Sequence, residues 1–122
     1  MASDLIRMMH ALFLPAAHEV RDVHWHPSAD VYRTPEGWLV KFDLAGVQPE
    51  DARLSLRGSR LTVSGTRRDW CVGEGCSCYQ MEISYSHFER SLDLPGDVER
   101  AHVTAEHRDG MLLVRIRMED DR

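Results

Sequence analysis

The chain is nearly without lysine: fourteen of its fifteen basic residues are arginine, and Lys41 is the exception. Those bases are scattered among 20 acidic residues, the net charge is −5, and the longest like-charge run is the acidic Glu119-Asp120-Asp121. Nucleic acid is excluded as a main ligand, because phosphate binding needs a concentrated basic surface. Long apolar runs are missing too. No segment approaches the about 20 apolar residues that a membrane-spanning helix requires, so a soluble protein with no membrane span is expected. The start does not resemble an export signal, since Asp4, Arg7 and His10 interrupt its apolar stretch. Cysteine is scarce, and three thiols cannot all pair within one chain, so a reducing cytoplasm is the expected compartment. There is no Gly-x-x-x-x-Gly-Lys-Ser/Thr loop, dinucleotide fingerprint or nucleophile elbow. Cys71 with His87, or Ser84 with His87 and Glu82, are isolated residue types in no catalytic order. The expectation is a protein that is not an enzyme and carries no cofactor.

What is present is a globular composition, 43% hydrophobic and 29% charged over 122 residues, enough for one domain with a modest core. Residues 1–29 form an N-terminal helix and linker. From Ser3 to Leu14 apolar residues fall at Leu5, Met8, Met9 and Leu12, with Ile6 and Phe13 widening the stripe. Ser3 can cap this helix and Pro15 ends it. The stripe either packs on its own domain or serves as a client or assembly helix, its adjacent methionines adapting to irregular apolar partners. His18, His24 and His26 follow in a stretch without periodicity. They are exposed linker residues on this reading, since His24-Trp25-His26 has no acidic or thiol neighbour to complete a metal site.

From Asp30 the apolar period becomes two. Trp38, Val40, Phe42 and Leu44 share one face, and Thr34-Pro35-Glu36-Gly37 before them is a turn, which makes residues 30 to 44 a hairpin. Alternation returns at Leu54 and Leu56, at Leu61 and Val63, at Tyr79, Met81 and Ile83, at Phe88, Leu92 and Leu94, and at Leu112, Val114 and Ile116. Turn residues separate these runs at Gly46, Gly58, Gly96 and Gly110. Many short strands at this spacing predict an all-β, antiparallel two-sheet sandwich or barrel.

Residues 42 to 56, FDLAGVQPEDARLSL, followed by SRLTVSGTRR at 59 to 68 and FERSLDLPGDVERAHVTAEHRDGMLLVRIRM at 88 to 118, resemble the α-crystallin domain of small heat-shock proteins. Ala105, Gly110 and Leu112 match the family's Ala-x-x-x-x-Gly-x-Leu element. The resemblance covers residues 30–118. It implies an immunoglobulin-like sandwich and an ATP-independent holdase that binds partly unfolded client proteins and limits their aggregation. It also implies a groove for apolar side chains, flanked by the strand of Leu54 and Leu56 and the strand of Val103 and Ala105. Related bacterial and plant proteins dimerise by strand exchange, and the exchanged strand here would be Tyr79, Gln80, Met81, Glu82 and Ile83. Arg90 shares the parity of Phe88, an inward position where a charge needs a partner, and Glu82 of the exchanged strand is the candidate.

One family feature is missing. Members continue into a tail with Ile-x-Ile/Val that fills a neighbour's groove, whereas this sequence has only 119–122 after the domain, and Val114-Arg115-Ile116 falls inside the last strand. The expectation is therefore a homodimer, small oligomers through the N-terminal helix, or co-assembly with another small heat-shock protein, rather than a large shell. The segment WCVGEGCSCY, residues 70 to 79, holds Cys71, Cys76 and Cys78 between the strand ending near Gly65 and the exchanged strand. Its C-x₄-C-x-C spacing is not that of a structural zinc site, so no metal is expected, while reversible disulfide formation remains a candidate role. A thiol- or metal-regulated binding protein, or a co-chaperone on the same sandwich, is the alternative function.

Overall fold

The computed structural model describes Val23, residues 25–69 and residues 74–118. The expected N-terminal helix with Leu5, Met8, Met9, Leu12 and Phe13 lies outside these residues, as do His18, His24, Cys71 and positions 119–122.

Seven strands follow the alternation of the sequence: β1 (Ala29–Thr34), β2 (Gly37–Asp43), β3 (Ala52–Arg57), β4 (Arg60–Arg67), β5 (Ser86–Asp93), β6 (His102–Arg108) and β7 (Met111–Arg117), with a 3₁₀ turn at Pro49–Asp51 before β3. Short turns make the hairpins. The Thr34 hydroxyl accepts the Gly37 N–H at 3.0 Å across the β1–β2 turn. Between β6 and β7, Asp109 and Gly110 have φ of 51° and 80°, the left-handed pair that a tight hairpin needs and that Asp-Gly adopts at low cost.

All pairings are antiparallel and fall into two sheets, in the orders β1-β2-β7-β6 and β3-β4-β5. Val40 and Phe42 of β2 and Leu112, Val114 and Ile116 of β7 face Leu54 of β3, Leu61 and Val63 of β4 and Phe88 of β5 in one core. Each such side chain contributes about 1.5–3 kcal/mol by leaving water. The predicted all-β sandwich is the observed fold. Val114 and Ile116 are buried in β7, so this pair belongs to the core.

Two features differ from the sequence expectation. The strand expected to end near Gly65 continues to Arg67, because Thr66 and Arg67 pair with His87 and Ser86. Residues 25–28, expected as linker, are held against the sandwich. Trp25 makes a parallel bridge to Phe88, its N–H donating to the His87 carbonyl at 3.4 Å and its own carbonyl accepting from Glu89 at 3.3 Å. His26 Nδ1, which must carry the hydrogen because its partner is a carbonyl, donates to Glu89 at 2.7 Å, and Pro27 is buried. This ribbon covers part of the outer edge of β5 and leaves β1, β3 and β6 as edges with no strand beyond them among the described residues.

Candidate functional site

Unpaired edges present rows of backbone N–H and C=O groups to a further strand. The edges β3 and β6 belong to different sheets and are tied together at one end of the sandwich through the connection that precedes β6. The link from β5 to β6 runs over the β3–β4 turn, with Leu94 N–H donating to Ser59 at 2.8 Å and Val98 N–H to Gly58 at 2.9 Å. The chain thus passes the turn that follows β3 four residues before β6 begins at His102. The four predicted groove residues divide into two kinds. Leu54 and Ala105 are closed into the core at 5% and 6% exposure, while Leu56 and Val103 pack against the core with part of their surface open. Leu56 and Val103 are therefore the two of the four with apolar surface left open, and Arg57 and His102 are exposed beside them in sequence. On the β4 side, Arg60 forms a forked pair with Asp93 at 3.0 and 3.3 Å, which holds its guanidinium above the usual range.

The second candidate surface is the connection from β4 to β5, residues 68–85. Its described parts, 68–69 and 74–85, form no strand within the single chain. Tyr79 is 99% exposed, Met81 55% and Ile83 59%, three apolar residues of one parity standing in water. Glu82 beside them accepts a hydrogen bond from the Gln80 amide. The outer edge β1 also carries exposed apolar side chains: its central residues are exposed, including Val31 and Tyr32. Arg90 does take the inward parity of Phe88 and is partly buried. Within the chain its Nη1 donates to the Pro27 carbonyl at 3.1 Å, a partner that sequence parity could not reveal because it sits 63 positions away.

Sequence reasoning missed Arg67. At the end of β4 its Nε donates to the Ser84 carbonyl at 2.8 Å, its Nη2 reaches the same oxygen, and its Nη1 donates to the Ala45 carbonyl at 3.1 Å. Its guanidinium lies 4.0 Å from the Trp25 ring centroid and 5.6 Å from that of Tyr85. Only the proximity of an arginine to a long connection could have signalled it, since its hydrogen-bond partners among the described residues are backbone carbonyls.

Cys76 and Cys78 are both exposed. Among the described residues no group of three or more His, Cys, Asp or Glu side chains is arranged to hold a metal. No helix among them is long and apolar enough to cross a membrane.

A family model described as Hsp20/alpha crystallin matches residues 30–122. The spore protein SP21 of Stigmatella aurantiaca is 35% identical over 86 residues, which are 70% of this chain and 51% of that protein. Small heat shock protein C4 of Rickettsia felis is 28% identical over 90 residues, 74% of this chain and 55% of the relative. The chain thus spans about half the length of these curated relatives. Among solved structures, hspA from Xanthomonas axonopodis superposes with a TM-score of 0.66 at 25% identity, covering 79% of this chain and 96% of the other. Heat shock protein 16.0 from Schizosaccharomyces pombe gives 0.68 at 25% identity, covering 77% and 87%.

Proposed function

The chain belongs to the Hsp20/alpha crystallin family, and from that membership we propose that it is an ATP-independent holdase that binds partly unfolded proteins and limits their aggregation. The observation that carries this reading is that β3 and β6 are both open edges and that each keeps an apolar side chain partly uncovered, Leu56 and Val103. An extended, partly unfolded segment can add backbone hydrogen bonds to such an edge while its apolar side chains settle on that open apolar surface. No nucleotide-binding motif in the sequence calls for a fuel. Heating an aggregation-prone client with the purified chain and without ATP tests it. Light scattering is expected to fall as chaperone is added, and Val103→Asp is expected to remove most of the protection, because a carboxylate at this position opposes apolar binding. Unchanged client scattering at a several-fold excess of the wild-type chain would leave a co-chaperone or a regulated binding protein as the better reading.

The working unit on this proposal is a homodimer in which Tyr79, Met81 and Ile83 of one copy add as a strand to the β1 edge of the other. Three exposed apolar residues of one parity and an open edge carrying Val31 and Tyr32 support that arrangement. Clients and a second copy are the proposed partners, and the cytoplasm the proposed compartment.

The exposure of Cys76 and Cys78 beside this strand favours thiol control of the dimer as a second element. Two cysteine thiols, one from each copy, would lose two protons and two electrons to hydrogen peroxide, forming one S–S bond and two waters. Denaturing mass analysis after peroxide treatment is expected to give a covalent dimer that a reductant returns to single chains. Cys76→Ser together with Cys78→Ser should abolish that species. A covalent dimer that persists unchanged in the double variant removes these two thiols from the proposal.

A further inference from the structure

The connection 68–85 leaves β4 and returns to β5 at points that are fastened, and one side chain does most of the fastening. We propose that Arg67 is a positioning residue for the dimer strand, setting where Tyr79, Met81 and Ile83 are offered to the second copy, and that through Trp25 it couples this presentation to the N-terminal segment. The inference rests on the strand-exchange dimer proposed above.

Ser84, whose carbonyl accepts two N–H groups from Arg67, immediately follows Ile83, the last residue of the proposed strand. The guanidinium therefore holds the Ser84–Tyr85 peptide, one residue beyond the proposed strand. The third hydrogen bond ties the same group to Ala45, in the link between β2 and β3, and so references the strand to both sheets. Arginine suits this role because its planar fork can hold two carbonyls in fixed directions while its face stacks on a ring; an ammonium has no such geometry.

Two further observations converge on the same corner. Ser86, the residue at which the chain re-enters β5, has φ of 75°, a conformation that residues with a Cβ seldom adopt and that persists only where surroundings enforce it. Its carbonyl accepts the Trp25 ring N–H at 3.3 Å. The Trp25 ring in turn lies 5.0 Å from Phe88 of the core and 4.0 Å from the Arg67 guanidinium. Trp25 and Arg67 thus hold Ser86 and Ser84, the two residues through which the strand is attached. Trp25 is also the first residue of the ribbon that leads out of the N-terminal segment. Anything that lifts that ribbon removes the face on which Arg67 stacks. Loss of the clasp would free residues that must be ordered again on dimerisation, and that entropy weakens association.

Sedimentation over a dilution series separates the possibilities. Arg67→Ala is expected to raise the dimer dissociation constant about tenfold or more, and Arg67→Lys several-fold, since lysine keeps the charge but not the fork. Arg100→Ala, which removes one exposed charge in the β5–β6 link, should leave the constant unchanged. Far-UV circular dichroism and the melting temperature of each variant guard against a change in the sandwich itself. Trp25→Leu should also weaken the dimer, and in combination with Arg67→Ala should add little, because both changes open one clasp. Should Arg67→Ala fail to fold, Arg67→Lys and Trp25→Leu carry the test. A wild-type dimer with an Arg67→Lys or Arg67→Ala constant within twofold of its own overturns the positioning role alone, and fully additive effects of Trp25 and Arg67 overturn the coupling. A wild-type chain that stays monomeric at all concentrations overturns the strand-exchange reading and this inference with it.

Discussion

Replacing Gly65 by alanine is expected to lower the melting temperature by about 10–20 °C, and replacing it by valine to leave little folded protein at growth temperatures. Gly65 lies in β4, the middle strand of its sheet, paired with Ala52 on one side and Phe88 on the other. A Cβ built there would stand 1.9 Å from the Asp51 carbonyl oxygen, 3.0 Å from its carbon and 2.9 Å from the tip of the Phe88 ring. None of these can give way at low cost. The Asp51 N–H is bound to the Gln48 carbonyl at 2.9 Å, its carboxylate takes the Arg68 guanidinium at 2.9 Å, and Ala52 beyond it is already in the ladder. The Phe88 ring is buried and packed on Trp25. Relief therefore requires β3 to move away from β4, and losing that pairing exposes Leu54 and Leu61. Overpacking in a tight core costs about 1–3 kcal/mol, and a clash with backbone belongs at the upper end of that range. A domain of this size has about 5–15 kcal/mol in all. Gly75→Asn supplies the contrast: a Cβ at Gly75 meets nothing within 4 Å among the described residues and asparagine tolerates its left-handed φ of 79°, so calorimetry should show almost no change. A Gly65→Ala melting temperature within 2 °C of wild type would mean the carbonyl moves more freely than its hydrogen bonds imply.

Gly65 also illustrates what the sequence could and could not carry. Its place inside a strand-like run was legible in SRLTVSGTRR, and alternation alone predicted the sandwich, because a strand with one buried face repeats its apolar residues every second position. The end of that strand was not legible: Thr66 and Arg67 have no apolar side chain, and only their pairing with His87 and Ser86 keeps them in the sheet. The ribbon at Trp25 was hidden for the same reason, since a single bridge to Phe88 leaves no period to detect. Leu54, Leu56, Val103 and Ala105 look alike in the sequence, yet two are sealed in the core and two are partly open. The inward parity of Arg90 could be counted along its strand, whereas its Pro27 partner depends on a segment with no pattern of its own.

Placing aspartate at both Met81 and Ile83 is expected to convert the dimer to monomers while leaving the melting of the sandwich almost unchanged. Both side chains are exposed in the single chain, so the variant neither opens a cavity nor buries a charge within one copy. In the proposed dimer the same positions lie on one face of an added strand. Burying Met and Ile there contributes about 1.5–3 kcal/mol each, and a carboxylate in either place adds a desolvation cost on top of that loss. Two such changes exceed about 3 kcal/mol, which weakens association by more than about a hundredfold. Tyr79→Asp should act in the same direction, while Glu74→Gln, outside the proposed strand, should not. The intervening residue Glu82 offers a finer reading. If it pairs with the partner's copy of Arg90, Glu82→Gln and Arg90→Lys should each weaken the dimer, and their combination should cost less than the sum, as interacting neighbours do. Purely additive effects would assign Arg90 to its Pro27 carbonyl alone. Aggregation assays on the monomeric double-aspartate variant then separate the two surfaces: protection that survives is carried by the groove of β3 and β6 in a single copy, and protection that disappears requires the pair.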